Sequence, residues 1–178
     1  MKTLNTEKIK VLIDEKKIEE RVTQLSEAIN RDFGDEPLIV IGILKGSFMF
    51  LSDLVKKLKM PTEIHFMKAS SYGSGTKSCG TVAIKLDVDR DISGKNVLIV
   101  EDIIDSGFTM CEVRKILENR GTKNLKLCSG LSKPSRREVD VDIEYLGFEI
   151  PDEFVVGYGL DFDEKYRNLP YIGYIEMA

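Results

Sequence analysis

Histidine and cysteine are scarce in this 178-residue chain, which has one His, three Cys and no Trp. With a single histidine, a Ser-His-Asp triad would rest on His65 alone. No Gly-x-Ser-x-Gly elbow accompanies it, and its place in the alternating segment 62–69 reads as a strand residue. Cys79, Cys111 and Cys128 are odd in number, widely spaced and without a Cys-x-x-Cys pair, which argues against a disulfide framework or a structural zinc site. Basic residues are not in excess: the net charge is −4, unlike a protein that coats nucleic acid. No apolar run approaches the ~18 residues of a membrane span. The first ten residues lack a hydrophobic signal core, so a cytoplasmic location is expected. If the chain is an enzyme, carboxylates, lysines and backbone amides must carry its chemistry.

What remains is an ordinary globular composition, 42% hydrophobic and 31% charged, with no repeats and no linker, and a length that suits one domain. Ile18, Val22, Leu25 and Ile29 recur at helical spacing and are followed by Gly34 and Pro37 as stops. Residues 38–43 are continuously apolar, the pattern of a strand covered on both faces. The turn at 44–46 leads to a second helix, with Ser47 as its N-cap and Phe48, Leu51, Leu54, Val55 and Leu58 inward. Two half-exposed strands, around Ile64 to Phe66 and Val82 to Val88, flank a polar, glycine-rich segment at 70–80. A buried strand at 96–100 runs into a loop and a helix carrying Met110, Val113, Ile116 and Leu117. Further strands are expected near 125–131, 142–148, 154–157 and 171–175. Buried strands alternating with amphipathic helices imply right-handed crossovers and a central, mainly parallel sheet flanked by helices, an α/β fold. Ligands in such sheets bind beyond the carboxyl ends of the strands. That rule selects 44–47, 101–109 and the segment after Leu131.

The densest of these is Val97-Leu-Ile-Val-Glu-Asp-Ile-Ile-Asp-Ser-Gly-Phe-Thr109. Glu101, Asp102 and Asp105 crowd one strand tip, where like charges raise one another's pKa unless a cation or a hydroxyl-rich ligand joins them. Adjacent carboxylates there suit a ribose diol or a hydrated Mg²⁺. Ser106 to Thr109 open a helix whose amides and hydroxyls suit a phosphate. Taken alone, the same residues also fit an acidic strand end followed by a capped helix.

This 13-residue stretch closely resembles the phosphoribosyl-pyrophosphate signature of the phosphoribosyltransferases. Leu44-Lys-Gly-Ser47, Ser70-Ser-Tyr-Gly73, Lys133-Pro134, the run from Gly147 to Asp161 and Tyr166-Arg-Asn-Leu-Pro170 resemble the hypoxanthine (hypoxanthine-guanine) branch of the type I family, in family order along nearly the whole chain. The resemblance implies one phosphoribosyltransferase domain over 1–178, a mobile lid at 70–80, and a small hood over the strand ends built mostly from 133–178.

It also implies roles. Glu101 and Asp102 hold the ribose hydroxyls and their Mg²⁺. Ser106, Gly107, Phe108 and Thr109 cradle the 5′-phosphate, and Asp105 approaches purine N7 as general base or acid. Some relatives carry lysine where this chain has Phe108, so that position offers its backbone amide. Lys45 and Gly46 form a pyrophosphate loop, in which the peptide before the lysine is cis in some relatives, and Arg167 pairs with pyrophosphate oxygens. Asp161 lies beside the purine and helps coordinate a second Mg²⁺. Ser71 and Tyr72 stand at the working end of the lid. In the purine pocket Phe154 stacks on the base, the Val155 backbone reads its edge and Lys133 donates to O6. The implied partners are phosphoribosyl pyrophosphate, hypoxanthine and guanine, without nucleic acid or membrane, in a homodimer or homotetramer. Two other readings compete. A phosphoribosyl-pyrophosphate-sensing regulator would need an added nucleic-acid-binding domain or a basic face. A dinucleotide enzyme is suggested by Gly157-Tyr-Gly159, but Phe162 stands where a third glycine belongs.

Overall fold

The computed structural model describes residues 9–71 and 82–175. After the short strand β1 (Ile9–Ile13), helix α1 (Glu15–Phe33) starts at Asp14, whose carboxylate accepts the Lys17 N–H at 2.9 Å. It stops at Gly34, whose positive φ of 58° lets the chain turn away while its N–H reaches Asn30 O. Ile18, Val22, Leu25 and Ile29 are buried, as their spacing predicts.

β2 (Leu38–Ile43) is buried at all six positions because it lies mid-sheet with a helix on each face. The six strands run in the order β4 (Val82–Leu86), β3 (Thr62–Ser71), β2, β5 (Asn96–Ile104), β6 (Asn124–Ser132), β7 (Tyr145–Glu149). All neighbours pair in parallel except β3 and β4. Two apolar clusters, one on each face, hold the layers together. One gathers α1 and α2 (Phe48–Val55), the other gathers α3 (Phe108–Glu118). Among the described residues no helix is long and apolar enough to cross a membrane.

Several sequence expectations need correction. The strand expected at 96–100 continues to Ile104, so Glu101 and Asp102 are strand residues held in register with β6, Glu101 opposite Ser129. Ser47 holds the N-cap position of α2, but its side chain makes no cap bond: it is buried, and its hydroxyl donates to Ile43 O at 2.6 Å. Phe48 faces outward, 42% exposed, and Phe50 takes its inward place. Beyond these corrections, residues 133–175 contribute strands to two sheets. β7 is an edge of the central sheet, whereas β9 (Ile172–Ile175) pairs with β8 (Val155–Val156) on one side and β1 on the other in a separate antiparallel sheet, so the first described strand joins the hood. Cys128 is buried and free. His65 lies on β3, as expected. Of the lid, Ser70 and Ser71 end β3; Tyr72 and the rest of the loop lie outside the described residues.

Candidate active site

Beyond the carboxyl ends of β2 and β5 lies an open cleft of about 230 Å³, lined among others by Lys45, Gly46, Glu101, Asp102, Asp105, Ser106, Gly107 and Thr109. Residues about 60 positions apart in sequence meet there because parallel neighbours end at the same edge of the sheet. Glu101 is buried, and burial, followed by the adjacent Asp102 charge, pushes its carboxyl well above the ordinary range. It accepts the Asp102 N–H at 3.0 Å, and Asp102 accepts the Ile103 N–H at 2.8 Å. A carboxyl held this way lacks a counter-charge, which a cation can supply, and a free donor, which a sugar hydroxyl can supply.

The sign of that shift gives a stability prediction. A raised folded-state pKa means the unfolded chain ionises first as pH rises, so wild-type stability falls from acid pH up to the raised value. Glu101→Gln keeps the acceptor for the Asp102 N–H without the charge. Its melting temperature is expected to exceed wild type at pH 8 by at least ~2–4 °C, about 1 kcal/mol at this chain length, with the gap narrowing at pH 5. Equal melting at both pH values would contradict the uncompensated burial.

The next turn forms one wall of the cleft. Gly107 leads α3 with a φ of 92°, and the helix has no acidic residue in its first turn. The leading amides of a helix lack intrahelical acceptors and carry the positive end of its dipole. Ser106 is fixed from behind, its carbonyl accepting from the Glu138 and Val139 N–H groups at 3.0 and 3.1 Å. Arg137 Nε donates to Asp105 O at 3.1 Å, and its terminal nitrogen donates to Ser132 Oγ at 2.7 Å. These bonds set the Asp105 backbone, and the Asp105 carboxylate remains about half exposed.

The facing wall is the loop after β2, where the Leu44–Lys45 peptide is cis. A Cβ on Gly46 would fall 1.5 Å from Asp102 Oδ2, so a side chain there would displace the carboxylate. On its other side Gly46 abuts Gly159, whose φ is 100° and whose own Cβ would meet Gly46 O at 2.0 Å. The Asp102 carboxylate thus leaves no room for a side chain at 46, and the Gly46 backbone leaves none at 159. Gly159 therefore serves close packing here, not a dinucleotide loop. Arg167 ties this layer together, donating to Gly159 O at 2.7 Å and lying 2.8 Å from Asp161 Oδ1.

On the remaining side Lys133 follows β6, buried, its N–H bonded to Ile104 O at 3.0 Å and its ammonium 3.7 Å from Asp152 Oδ1. Phe154 is 42% exposed and meets Phe162 edge-to-face at 5.5 Å, leaving aromatic surface for a planar ligand. Val155 is buried in β8. Lys133, Phe154, Val155, Asp161 and Arg167 are not among the residues that line this cleft.

Among the described residues the structure gathers no three His, Cys, Asp or Glu side chains around one cation position. It also adds residues that sequence reading passed over. Arg136 Nε lies 3.0 Å from Asp105 Oδ1 without hydrogen-bond alignment, and Arg136 also meets Asp152 at 3.4 Å. Glu164 accepts from Lys45 Nζ at 3.0 Å. The basic run at 133–137, just beyond a buried strand, was the one available signal for Arg136.

Residues 9–163 match the family described as phosphoribosyl transferase domain. The chain belongs to the phosphoribosyltransferase family. A hypoxanthine phosphoribosyltransferase from Salmonella typhimurium is 52% identical over 172 residues, 95% of this chain and 96% of that protein. A hypoxanthine-guanine phosphoribosyltransferase from Aquifex aeolicus is 46% identical over 177 residues, 99% of each. A solved hypoxanthine phosphoribosyltransferase from Staphylococcus aureus superposes with a TM-score of 0.92 at 43% identity, covering 99% of this chain and 96% of that one. The parallel sheet, the helices on its two faces and the small antiparallel hood are thus a type I phosphoribosyltransferase fold.

Proposed function

We propose that this phosphoribosyltransferase moves a 5-phosphoribosyl group from phosphoribosyl pyrophosphate to N9 of hypoxanthine or guanine, giving IMP or GMP and pyrophosphate in purine salvage. One observation carries the reading: an acidic strand tip, a helix N-terminus and a cationic glycine loop face one cleft. These suit, in turn, a ribose diol, a 5′-phosphate and a diphosphate. Ser106, Gly107, Phe108 and Thr109 bind the 5′-phosphate through amides and hydroxyls. Glu101 and Asp102 orient the ribose, Lys45, Gly46 and Arg167 take the leaving pyrophosphate, and Asp105 holds or accepts the proton at purine N7. Lys133 donates to O6, Phe154 stacks on the base and Val155 presents its backbone to the base edge. A dry cleft favours transfer to the base over hydrolysis of the donor. Pyrophosphate release, measured across a panel of purine bases, tests the reading. Hypoxanthine and guanine are expected to support turnover, xanthine to a lesser degree, and absence of turnover with every 6-oxopurine would refute it.

Mg²⁺ fits the donor set. The ion takes oxygen ligands, keeps waters and uses one or two carboxylates plus substrate phosphates, which matches carboxylates that do not form a closed cage. Glu101 and Asp102 would hold one ion at the ribose and Asp161 a second at the pyrophosphate, where the charge supplied stabilises the leaving group. Calorimetric titration with pyrophosphate is expected to show at least ~10-fold tighter binding with Mg²⁺ than with EDTA; equal affinity would remove the metal from the site.

A homodimer or homotetramer is the expected assembly. It is supported by Ile64, Phe66 and Leu86, which are 40–46% exposed on β3 and β4. Sedimentation velocity of Phe66→Glu is expected to show a smaller species than wild type, and an unchanged species would place the interface elsewhere.

A further inference from the structure

Glu164 stands outside every role assigned above, yet it touches both cations of the pyrophosphate wall. Its Oε2 lies 3.0 Å from Lys45 Nζ and 3.5 Å from Arg167 Nη2. The two contacts arrive from distant parts of the chain, so the carboxylate bridges the loop after β2 and the segment before β9. Its backbone is set for this. Asp163, Glu164 and Tyr166 all have positive φ, at 51°, 60° and 73°, a left-handed run that non-glycine residues rarely adopt and that concentrates at ligand clamps. The turn is closed by reciprocal bonds between Phe162 and Lys165, and the Glu164 N–H donates to Asp161 Oδ2 at 2.9 Å.

Resting on the pyrophosphate role given to Lys45 and Arg167, we infer that Glu164 is an internal counter-anion of that subsite. It occupies the two cations while the subsite is free, yields them to the diphosphate of the donor, and takes them back as pyrophosphate leaves. The exchange requires no bond to form or break beyond ion pairs. The Glu164 side chain is 65% exposed, and so it can swing into solvent when displaced. In this role Glu164 weakens pyrophosphate binding in order to free the site, so it is a positioning residue for Lys45 and Arg167 and has no part in the transfer itself.

Exposed ion pairs are worth little each, so the expected effect is modest and directional. Glu164→Gln is expected to tighten Mg²⁺-pyrophosphate binding by about two- to fivefold in calorimetry, to lower the inhibition constant of pyrophosphate by a similar factor, and to lose both effects as salt screens the pair. Asp163→Asn, at the neighbouring residue whose carboxylate lies 3.6 Å from Lys165, is the control for a general loss of negative charge and is expected to change neither value. Unchanged or weaker binding in Glu164→Gln, or equal tightening in Asp163→Asn, would overturn the inference. Wild-type protein that binds no Mg²⁺-pyrophosphate would instead overturn the pyrophosphate reading beneath it. Thermal melting of both variants reports whether the turn is intact, and rescue of wild-type affinity by Glu164→Asp counts for the carboxylate itself.

Discussion

Replacing Asp105 by Asn is expected to lower kcat by ~10²–10⁴, the usual contribution of a positioned acid or base. The substitution is nearly isosteric. The backbone at this point is fixed independently of the side chain, since Arg137 holds the Asp105 carbonyl and the Glu138 and Val139 amides hold that of Ser106. The phosphate wall should therefore keep its shape, and phosphoribosyl pyrophosphate is expected to bind within about threefold of wild type. An amide cannot take the N7 proton, so the loss falls on the transfer step, ~3–5 kcal/mol of barrier. Arg136 Nε lies 3.0 Å from the carboxylate and is kept in the variant. Steady-state turnover with hypoxanthine, alongside direct donor titration, separates binding from chemistry. A fall in kcat below about fivefold, with the fold intact, would take Asp105 out of this role.

For Lys133→Met the expected result is a collapse of base selectivity. An ammonium only donates hydrogen bonds, and O6 of hypoxanthine or guanine only accepts. Adenine presents an amino group there, so two donors would face each other in a desolvated pocket. Hydrogen bonds to charged groups are worth ~1.5–3 kcal/mol, and an unpaired buried charge costs more, so wild-type preference for hypoxanthine over adenine should exceed ~10²-fold. Lys133 is buried beside Asp152, and its main chain is pinned to Ile104 O, so methionine of similar length should leave the loop in place. The variant is expected to lose most of its kcat/KM for hypoxanthine, gain little for adenine, and shrink the ratio at least ~10-fold. An unchanged ratio would move specificity to the backbone around Val155. Asp152→Asn offers a second measurement: if its carboxylate steadies the ammonium, hypoxanthine KM should rise with the preference for 6-oxopurines retained.

The parts of this protein legible in its sequence are those whose physics is local in the chain. Ile18, Val22, Leu25 and Ile29 bury one face of α1 because a helix repeats every 3.6 residues, and β2 reads as a central strand because burial on both faces demands unbroken apolarity. The run from Glu101 to Thr109 was legible as a site because strand tip, turn and helix start are contiguous, so its carboxylates and amides stand together whatever the rest of the fold does. Its neighbours were decided by tertiary structure. Lys45 meets Glu164 across 119 residues, Gly46 is clasped between Asp102 and Gly159, and Arg136 reaches Asp105 from a different βα turn. β1 joins the hood through β9, at the opposite end of the chain. Nothing in the spacing of these residues encodes such meetings. Parallel strand order and the packing of the hood on the sheet bring them together, and ion pairs and backbone contacts form only between groups already placed within a few ångströms.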